Sequence, residues 1–298
     1  MLSKITVFTP TFNRAHVLVR GYEALKRQTN KEFIWLIIDD GSTDNTKELV
    51  NKWINECKDF EIKYVYKENG GLYSGYTTAF HHITTELCVC IDSDDYLTDN
   101  AIEIILKKWK DEGSDDYAGI VGLDCYEDGS VIGDIFPDQK DINLIDVLIG
   151  KYNFKNGDRK NIVRTELYKN AVPFENIPGE KDFNPHFLHL EISKKYNFLV
   201  CNEKLCVVEY QEGGMSNTIF KQYERSPKSF RIMRLMDMSL SGISFKQLLK
   251  INIHYTSSCI LSGEPCLSTS NHKFITALMW PFGLIFTICI KFYNRLHK

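Results

Sequence analysis

An apolar run that ends in a cluster of carboxylates constrains this chain more than any other stretch. Leu87 to Ile91 is rich in Val, Ile and Cys, and Asp92-Ser93-Asp94-Asp95 follows at once. A short, uninterrupted apolar run is typical of a buried strand in a parallel sheet. Asp99-Asn100 is then the predicted cap of a helix that begins near Ala101. We therefore expect the carboxylates just beyond the carboxyl end of a strand, where open α/β sheets bind ligands.

The spacing of these carboxylates fits a metal site. Asp92 and Asp94 flank a single residue, Ser93, so both side chains can reach one ion. Hard oxygen ligands suit Mg²⁺ or Mn²⁺, and such sites usually combine one or two carboxylates with the phosphates of a substrate. An acidic turn with a helix cap explains the same residues equally well. The choice between the two interpretations depends on the other motifs of the chain.

Strand and helix patterns alternate along the first hundred residues. The predicted strands are 4–9, 33–38, 62–66 and 87–91, and the predicted helices are 15–28, one that starts at Asp44, and 74–84. This alternation predicts an α/β fold with a doubly wound, mostly parallel sheet and right-handed crossovers. Polar or glycine-rich loops follow Thr9, Ile38, Asn69 and Ile91. In such a sheet these loops gather at one edge, which makes that edge the expected binding site.

The pattern is less regular beyond Ile105. It predicts a hairpin of 120–126 with 131–136, a short helix at 143–149, a strand and helix over 161–169, a helix near 186–195, short strands at 198–200 and 206–210, a flexible loop at 211–217, and helices over 221–262. We expect a catalytic domain of residues 1–220, with halves 1–110 and 111–220. A helical C-terminal region of 221–298 follows it.

The composition is that of an ordinary globular protein. Apolar residues make up 43% of the 298 and charged residues 25%, and the net charge of -3 does not favour nucleic acid as a partner. The nine cysteines lack a paired metal-binding spacing, which favours reduced thiols in a cytoplasmic setting. No signal peptide is expected, because the N-terminus leads directly into a predicted strand.

The C-terminus carries an uncharged apolar run with basic flanks. Residues 277–290 contain no charged side chain, and Lys273, Lys291 and Arg295 lie on either side. The run is short for a bilayer span, which needs about 20 residues, and Pro281 and Gly283 are expected to interrupt it. An interfacial anchor over residues 277–292 is the prediction, and a buried helix is the alternative.

Four motifs follow one another in the first hundred residues: Thr9-Pro10-Thr11-Phe12-Asn13-Arg14, Asp39-Asp40-Gly41-Ser42-Thr43-Asp44, Asn69-Gly70-Gly71 and Asp92-Ser93-Asp94-Asp95. In this order and spacing they resemble family 2 glycosyltransferases of the GT-A fold, closely over residues 3–110 and loosely over the next hundred. The resemblance implies transfer of a sugar from a nucleotide-sugar donor with inversion at the anomeric carbon. It also implies a role in building a bacterial capsule, exopolysaccharide or lipopolysaccharide.

The resemblance assigns roles to the motif residues. Asp92 and Asp94 would hold Mn²⁺ or Mg²⁺, with Asp94 the firmer ligand, and Asp40 backed by Asp39 would read the nucleobase and ribose of a UDP donor. The remaining donor-binding residues implied are Thr9, Pro10, Thr11, Arg14, Asn69, Gly70, Gly71, Asp92 and Ser93. Gly75 and Thr77 stand where the family often carries Ala and Asn, which puts part of the donor contact in doubt.

Inversion requires a base that deprotonates the acceptor hydroxyl. In the family this base is often the Asp of a Glu-Asp pair that opens a helix in the second half. The matching place here reads Gly179-Glu180-Lys181-Asp182, so Lys181 replaces the second carboxylate. Glu180 is the first choice, Asp182 the second and Glu191 the third; a surface position for Glu180 is the alternative.

Two other functions compete with glycosyl transfer. A nucleotidyltransferase also uses metal-binding carboxylates, but its usual glycine-rich phosphate loop is missing from Thr9 to Arg14. A non-catalytic nucleotide-sugar-binding scaffold is consistent with the Lys181 replacement. For the enzyme we expect a glycan or lipid-linked acceptor and a cytoplasmic location at the inner face of the plasma membrane. Contact with that membrane is expected to be peripheral.

Overall fold

The computed structural model describes residues 4–173, 177–210 and 218–297. Within these ranges the chain forms two compact units. The first takes in the described residues of Met1–Gly70, Ser74–Pro173 and Leu188–Gln211, and the second those of Gly71–Tyr73, Phe174–Phe187 and Glu212–Lys298. The loop predicted at 211–217 lies outside the described residues. The domain boundary expected at residue 220 stays a prediction.

The strands and helices follow the expected alternation in the first half of the chain. The strands are β1 Ile5–Thr11, β2 Phe33–Asp39, β3 Glu61–Tyr66, β4 Leu87–Cys90, β5 Tyr96–Leu97, β6 Tyr117–Cys125, β7 Asp141–Ile142, β8 Arg159–Arg164 and β9 Asn197–Val207. The helices are α1 Ala15–Arg27, α2 Thr46–Glu56, α3 Leu72–His82, α4 Ala101–Glu112, α5 Leu144–Leu148, α6 Thr165–Ala171, α7 His186–Ser193, α8 Ile219–Arg225, α9 Pro227–Met238, α10 Phe245–Ser262 and α11 Lys273–Leu296.

These strands form one sheet in the first unit, with the order β3-β2-β1-β4-β8-β6-β9-β5 and with β7 paired to β9. The β3-β2-β1-β4 ladders are parallel, as is the long β6-β9 ladder, whereas β8 runs antiparallel to both neighbours. The prediction of a mostly parallel α/β sheet is therefore confirmed. The chain leaves β1 toward β2 on one side and returns to β4 on the other. The carboxyl ends of β1 and β4 therefore lie at a topological switch point, where such sheets bind ligands.

A stack of aromatic rings fastens α1 and α2 to the sheet. Tyr22 on α1 and Trp53 on α2 stack with centroids 4.5 Å apart, and Trp35 on β2 lies 5.7 Å from Trp53. The indole N–H of Trp35 donates to Thr9 Oγ1 at 3.0 Å, so the buried polar atom has a partner. The packing holds the loops after β1 and β2 on a rigid base.

One carboxylate caps two helices at this edge. Asp44 Oδ1 accepts a hydrogen bond from the backbone N–H of Thr46 at 3.1 Å, and its Oδ2 accepts one from that of Ala15 at 3.1 Å. These bonds satisfy free amides at the starts of α2 and α1. Burial alone would raise the pKa of Asp44, but the hydrogen bonds outweigh it and the pKa lies below its usual value. The predicted helix start after Asp44 is thus correct.

The predicted cap of α4 is wrong in its mechanism. Asn100 occupies the N-cap position but makes no capping hydrogen bond through its side chain. Asp99 pairs with Arg27 instead, at 3.0 Å. The side-chain oxygen of the buried Gln28 accepts from the backbone N–H of Ile102 at 3.1 Å. Gln28, directly after α1, therefore caps α4. Local sequence rules do not reveal such a cap, because they consider only neighbouring residues.

Two further strand predictions need correction. The predicted partner strand 131–136 is reduced to one bridge between Cys125 and Val131. Beyond it, Gly133 adopts φ +79 and the backbone N–H of Asp134 donates to Lys155 O at 2.8 Å, which turns the chain away from β6. The short strands predicted at 198–200 and 206–210 are parts of the single strand β9. The polar residues between them continue the β6 ladder through register shifts.

The C-terminal apolar run belongs to a helix that is longer than the run itself. Helix α11 has 24 residues, and Pro281 and Gly283 do not interrupt it, contrary to the prediction. Interior proline costs roughly 3 kcal/mol in a helix, so packing against neighbouring helices has to offset it. Among the described helices, α11 alone is long and apolar enough to cross a membrane by length and composition, with a mean hydropathy of 1.8. In the second unit it packs against α10 and α8, and α9 packs against α10.

Candidate active site

Asp40 is the centre of a hydrogen-bond network at the carboxyl end of β2. The residue is 5% exposed, and its Oδ1 accepts from Lys67 Nζ at 2.6 Å and from the backbone N–H of Gly70 at 2.8 Å. The side-chain amide of Asn69 donates to Asp40 O at 2.7 Å. The second and third motifs are therefore joined through one carboxylate, which keeps this loop pair in a defined conformation.

Asp39 supports this network from beneath. It is 1% exposed, and its two oxygens accept from the Tyr64 hydroxyl at 2.5 Å and from the backbone N–H of Ser42 at 2.8 Å. Burial and the neighbouring Asp39 charge raise the pKa of Tyr64, so the phenol stays protonated as a donor. Asp39 thus orders the β2 loop rather than presenting a free oxygen.

The first motif is locked to the second by Asn13. Its φ of +52 lies in the left-handed region, which Asn tolerates better than most residues. Its side-chain oxygen accepts from the backbone N–H of Thr43 at 2.8 Å, and its own N–H donates to Ser42 Oγ at 2.9 Å. This lock holds Arg14 at the start of α1.

The remaining residues of the first motif belong to β1 itself. Thr9 faces the core beneath Trp35, and Thr11 is 3% exposed with a hydroxyl that has no hydrogen-bond partner among the described residues. Pro10 packs against Gly75, where a methyl group would lie 3.1 Å from the proline Cβ. The family's usual alanine would be tight at that position, so glycine at 75 matches the local packing.

Two glycines allow close approach of backbone segments in this part of the first unit. Gly41 has φ +86, and a Cβ on it would lie 2.8 Å from the backbone nitrogen of Asn69. A Cβ on Gly70 would lie 2.5 Å from Ser74 Oγ. In the second unit, Gly71 has φ +87 and lies directly against the backbone of Lys181. Glycine is required at 41 and 71 by conformation as well as by space.

The paired carboxylates of the fourth motif differ in their surroundings. Asp94 is 21% exposed, and its Oδ2 lies 3.3 Å from Arg14 Nη1. Asp92 keeps an exposed surface but is enclosed by protein on its other sides, and it accepts a weak hydrogen bond from Cys90 Sγ at 3.9 Å. This enclosure, more than the repulsion from Asp94, raises the pKa of Asp92, and Lys160 partly offsets it. Ser93 between them is half-buried.

This donor set fits a cation that also binds phosphate. Two carboxylates share one turn. Burial disfavours the negative charge of Asp92, so a cation beside it would be stabilising. Within 4–173, 177–210 and 218–297, no group of three His, Cys, Asp or Glu side chains is arranged to hold a metal ion by itself. Mg²⁺ and Mn²⁺ sites commonly take their remaining ligands from water and substrate phosphates. Asp92 and Asp94 match that type of site.

A buried lysine beneath the turn was missed by the sequence reasoning. Lys160 Nζ on β8 lies 3.9 Å from Asp95 Oδ2 and 3.8 Å from Asp124 Oδ2. Asp95 Oδ1 accepts from the backbone N–H of Glu209 at 3.2 Å, so the end of the turn is tied to β8 and to the end of β9. Lys160 stands one residue before the strand predicted from residue 161, and β8 begins earlier, at Arg159, which places this lysine inside the sheet.

Burial dominates the charges in this cluster. It raises the pKa of Asp95 to about 8 and that of Asp124 to about 6. For Lys160, burial alone would lower the pKa, but the surrounding acidic groups, with Asp124 foremost, raise it well above its usual value. Lys160 is therefore the cation that faces these buried acidic groups beneath the turn of residues 92–95, and its charge makes their burial less costly.

The predicted base residues Glu180 and Asp182 are both engaged within the second unit. Glu180 is 9% exposed, and its two oxygens accept from the backbone N–H groups of Lys228 at 2.8 Å and Ser229 at 2.6 Å. These amides belong to the first turn of α9. Glu180 therefore caps this helix from outside it, which explains its burial and excludes the surface position that was the alternative.

Asp182 is 3% exposed and is held by a different pair of groups. It accepts from Arg225 Nε at 2.5 Å and from Ser226 Oγ at 2.7 Å, and it also pairs with the second nitrogen of the same guanidinium. Glu191 on α7 is 29% exposed and pairs with Lys194 at 2.5 Å. Of the three base candidates, only Glu191 has the environment of a solvated surface residue.

The sheet edge, the D-x-D turn and the loop network define a site of known type. The family model "Glycosyl transferase family 2" matches residues 6–178, which is more than half of the chain. The chain belongs to glycosyltransferase family 2. The family assignment made from the four motifs is thus confirmed.

Curated relatives match this family 2 chain over about a third of its length. An uncharacterised glycosyltransferase of Rickettsia felis is 36% identical over 106 residues, which is 35% of this chain and 17% of the relative. Glycosyltransferase GlyA of Streptococcus pneumoniae is 30% identical over 105 residues, 35% of this chain and 15% of the relative. A chondroitin synthase of Pasteurella multocida is 31% identical over 105 residues, 35% of this chain and 11% of the relative. The matched segment thus spans less than a fifth of these relatives.

Solved structures share the fold of the family 2 chain over most of its length. S. aureus TarS 1–349 in complex with UDP-GlcNAc has a TM-score of 0.61 at 18% identity and covers 86% of this chain and 72% of its own. Mannosyltransferase PcManGT from Pyrobaculum calidifontis, in complex with GDP-Man and Mn²⁺, has a TM-score of 0.58 at 14% identity. The match covers 100% of this chain and 88% of PcManGT. The predicted GT-A fold with a helical C-terminal extension is confirmed.

Proposed function

We propose that this chain is an inverting, metal-dependent glycosyltransferase that moves a sugar from a UDP-sugar to a glycan or a lipid-linked acceptor. The observation that carries the proposal is the placement of Asp92 and Asp94 at the switch point of the sheet, with Arg14 beside Asp94. The product belongs to a cell-surface polysaccharide, a proposal supported by relatives such as chondroitin synthase.

Asp92 and Asp94 would hold Mn²⁺ or Mg²⁺, which supplies a Lewis acid to the departing nucleoside diphosphate. Arg14 brings a second positive charge to the same place, since its guanidinium lies 3.3 Å from Asp94. A guanidinium can turn from a carboxylate to a phosphate because both present paired oxygens to its planar donors. Arg14 thereby stabilises the charge that develops as the glycosidic bond breaks.

Asp40 is proposed to recognise the nucleotide of the donor. Its Oδ1 is already the acceptor for Lys67 and Gly70, but a carboxylate has lone pairs for about four hydrogen bonds. We propose that this carboxylate accepts the imide N–H of uracil in addition to these two contacts. Since Lys67 and Gly70 fix the carboxylate plane, this contact would be preorganised.

For the base we propose Glu180 first, then Asp182, then Glu191. The backbone amides of Lys228 and Ser229 orient both oxygens of Glu180, and each oxygen keeps a lone pair that a proton can use. An acceptor hydroxyl approaching such a fixed carboxylate needs no side-chain rearrangement. Asp182 is second because Arg225 and Ser226 surround it more completely.

A non-catalytic nucleotide-sugar-binding protein is the second candidate function. The engagement of both Glu180 and Asp182 in structural contacts favours it. We also propose peripheral contact of the C-terminal region with the inner face of the plasma membrane, supported by the apolar helix α11.

A donor-hydrolysis assay separates enzyme from binding protein. UDP release from a panel of UDP-sugars is followed with Mn²⁺ and with EDTA, for the wild type and for Asp94→Asn. The enzyme predicts Mn²⁺-dependent release from at least one sugar that Asp94→Asn lacks. UDP binding by calorimetry without release from any sugar or acceptor mixture would favour the binding protein.

A further inference from the structure

Helix α11 has its polarity reversed relative to a helix of a water-soluble domain. A surface helix normally turns its apolar stripe inward and its polar residues outward. Here four of the six buried residues are small or polar, namely Thr276, Gly283, Thr287 and Asn294, and the other two are Met279 and Ile290. The outward face carries large apolar side chains that are between 52% and 83% exposed: Phe274, Leu278, Phe282, Ile285, Ile288 and Phe292. The outward face therefore requires an apolar environment.

Much of the inward face of α11 contacts α10. Thr276 Oγ1 donates to Asn252 Oδ1 at 2.7 Å, and the Thr287 and Ser257 hydroxyls are 2.9 Å apart. Gly283 lies so close to Thr256 that any larger residue would overlap it. Small and hydroxylated residues at a close helix contact are typical of helix pairs in lipid, where polar atoms are satisfied inside the pair. Rotation of α11 to hide its apolar side would break these contacts.

The charges that flank the apolar face favour an anionic lipid surface. No Asp or Glu occurs from Pro265 to Lys298. Lys273 and Lys291 are 18 residues apart, which is about five turns at 3.6 residues per turn, and Arg295 follows one turn later on the same side. These three form a basic row beside the apolar face. An antiparallel second copy packed through this face would set the row beside its own symmetry mate, whereas anionic headgroups neutralise it.

The neighbours of α11 decide between crossing the bilayer and lying on it. Near the C-terminal end, the Asn294 side-chain amide donates to Phe220 O at 3.0 Å and to Glu224 Oε2 at 2.6 Å on α8. That short helix also carries Lys221 and Arg225. Phe220 of α8 also lies against Phe286 in the apolar run of α11, with ring centroids 6.3 Å apart, so a spanning α11 would draw these charges toward the hydrocarbon, which is costly. With α11 in the plane of the interface, α8 and α10 stay on the aqueous side.

We infer that α11 is a monotopic membrane anchor that lies flat in the interface of an anionic bilayer, with Phe282, Ile285 and Ile288 toward the acyl chains and the basic row at the headgroups. This inference deepens the membrane contact proposed above and rests on it. It does not depend on the sugar-transfer chemistry, because every measurement below reads lipid contact and none reads activity.

Flotation of the full chain with vesicles tests the surface. We expect binding to vesicles of phosphatidylcholine with phosphatidylglycerol, and weaker binding to phosphatidylcholine alone. Ile285→Asp/Ile288→Asp should lower binding by more than about tenfold because it places charges in the apolar face. The control Ile135→Asp alters an equally exposed isoleucine of the first unit and should change nothing. Wild-type binding by the double variant, or a dimer in solution with no vesicle binding, overturns the inference.

Labelling from outside the vesicles tests the orientation. Asn271→Cys and His297→Cys are made separately with Cys289→Ser, and a membrane-impermeant maleimide is added to vesicle-bound protein, with labelled sites read by peptide mass. A flat helix leaves both ends outside, so both cysteines react as fast as without lipid. Protection of one end until detergent is added would show a span and overturn the flat orientation while leaving the membrane contact intact.

Discussion

The carboxylates of the two units contrast in how their oxygens are used. In the first unit, Asp94 is partly exposed and shares a single oxygen with Arg14, while Asp92 lies beside it in an unfavourable environment. In the second unit, Glu180 and Asp182 have all their oxygens bonded to amides, a guanidinium or a hydroxyl. The carboxylates of the second unit thus hold the start of a helix, whereas Asp92 and Asp94 are in long or weak contacts with Cys90 and Arg14.

The largest effect is expected at Asp94. Asp94→Asn should lower transfer by about 10³-fold or more, because a metal ion contributes several kcal/mol at the transition state and each 1.36 kcal/mol is a tenfold change. Steady-state kinetics with Mn²⁺ gives the loss, and thermal unfolding shows whether the fold survives. Asp99→Asn, which alters an exposed ion pair with Arg27, is the matched control and should retain activity. Wild-type turnover by folded Asp94→Asn would remove the metal assignment.

Glu180 tests the other side of the contrast. If it takes the acceptor proton, Glu180→Gln should lower kcat by about 10²–10⁴ with donor KM nearly unchanged. If it only caps α9, the variant should lose about 0.5–2 kcal/mol of stability and keep its kcat. Measuring kcat, KM and the free energy of unfolding together separates the two. Asp182→Asn is the parallel variant: if it is inactive and Glu180→Gln is normal, the roles exchange.

Lys160 should matter for stability more than any surface lysine. Lys160→Met leaves Asp95 and Asp124 buried without their cation, and breaking a buried ion pair in this way costs about 3–5 kcal/mol. Urea unfolding measures the loss. Lys160→Arg keeps the charge and should recover part of it, while Lys107→Met on the exposed face of α4 should have no effect. Equal stability of the Met and Arg variants would contradict the charge argument.

Asp40 is expected to affect donor binding with a moderate magnitude. Asp40→Ala removes the proposed contact with the nucleobase and releases Lys67 and Gly70. A hydrogen bond to a charged group contributes roughly 1.5–3 kcal/mol, so donor KM should rise about tenfold to a hundredfold. Calorimetry with UDP and Mn²⁺ measures the change directly. Unchanged affinity would place nucleotide recognition elsewhere.

The smallest effect concerns the pH dependence of stability. The pKa of Asp124 is about 6 in the folded protein, which is above its value in the unfolded chain. Between these two pKa values the native state therefore binds more protons than the unfolded state. The free energy of unfolding should therefore fall by roughly 1–3 kcal/mol as the pH rises from about 4 to about 6. Above about pH 6, Asp124 should contribute no further change. Asp124→Asn should flatten this part of the profile of unfolding free energy against pH. An unaltered profile in the variant would show that Asp124 is not responsible.

The first half of the fold was predictable because its strands are short, apolar and separated by strong turn signals. Asp44, for example, marks two helix starts with one side chain. Long-range partners were not predictable: Gln28 caps a helix that begins 73 residues later in the chain, and Lys160 lies beneath a turn 65 residues earlier. Similarly, Pro281 signals a helix break locally, but the packing of Gly283 against α10 keeps α11 continuous.

The site divides in the same way. Asp40, Asp92 and Asp94 follow strands whose ends meet by topology, so the sequence order alone brought them to one edge. Thr9 and Asp39 lie in the same motifs, but the alternation of side chains along a strand turns Thr9 toward Trp35 in the core. Which members of a motif face a ligand depends on register and packing, which motif matching does not include.

Electron paramagnetic resonance of Mn²⁺ tests the central claim most directly, because it counts bound ions without any knowledge of the sugar or acceptor. Mn²⁺ is titrated into wild type and Asp94→Asn, each with and without UDP. The account predicts that wild type binds Mn²⁺ tightly once UDP supplies the missing phosphate ligands, and that Asp94→Asn loses this UDP-dependent binding while Asp99→Asn keeps it. Equal UDP-dependent Mn²⁺ binding by wild type and Asp94→Asn would contradict it.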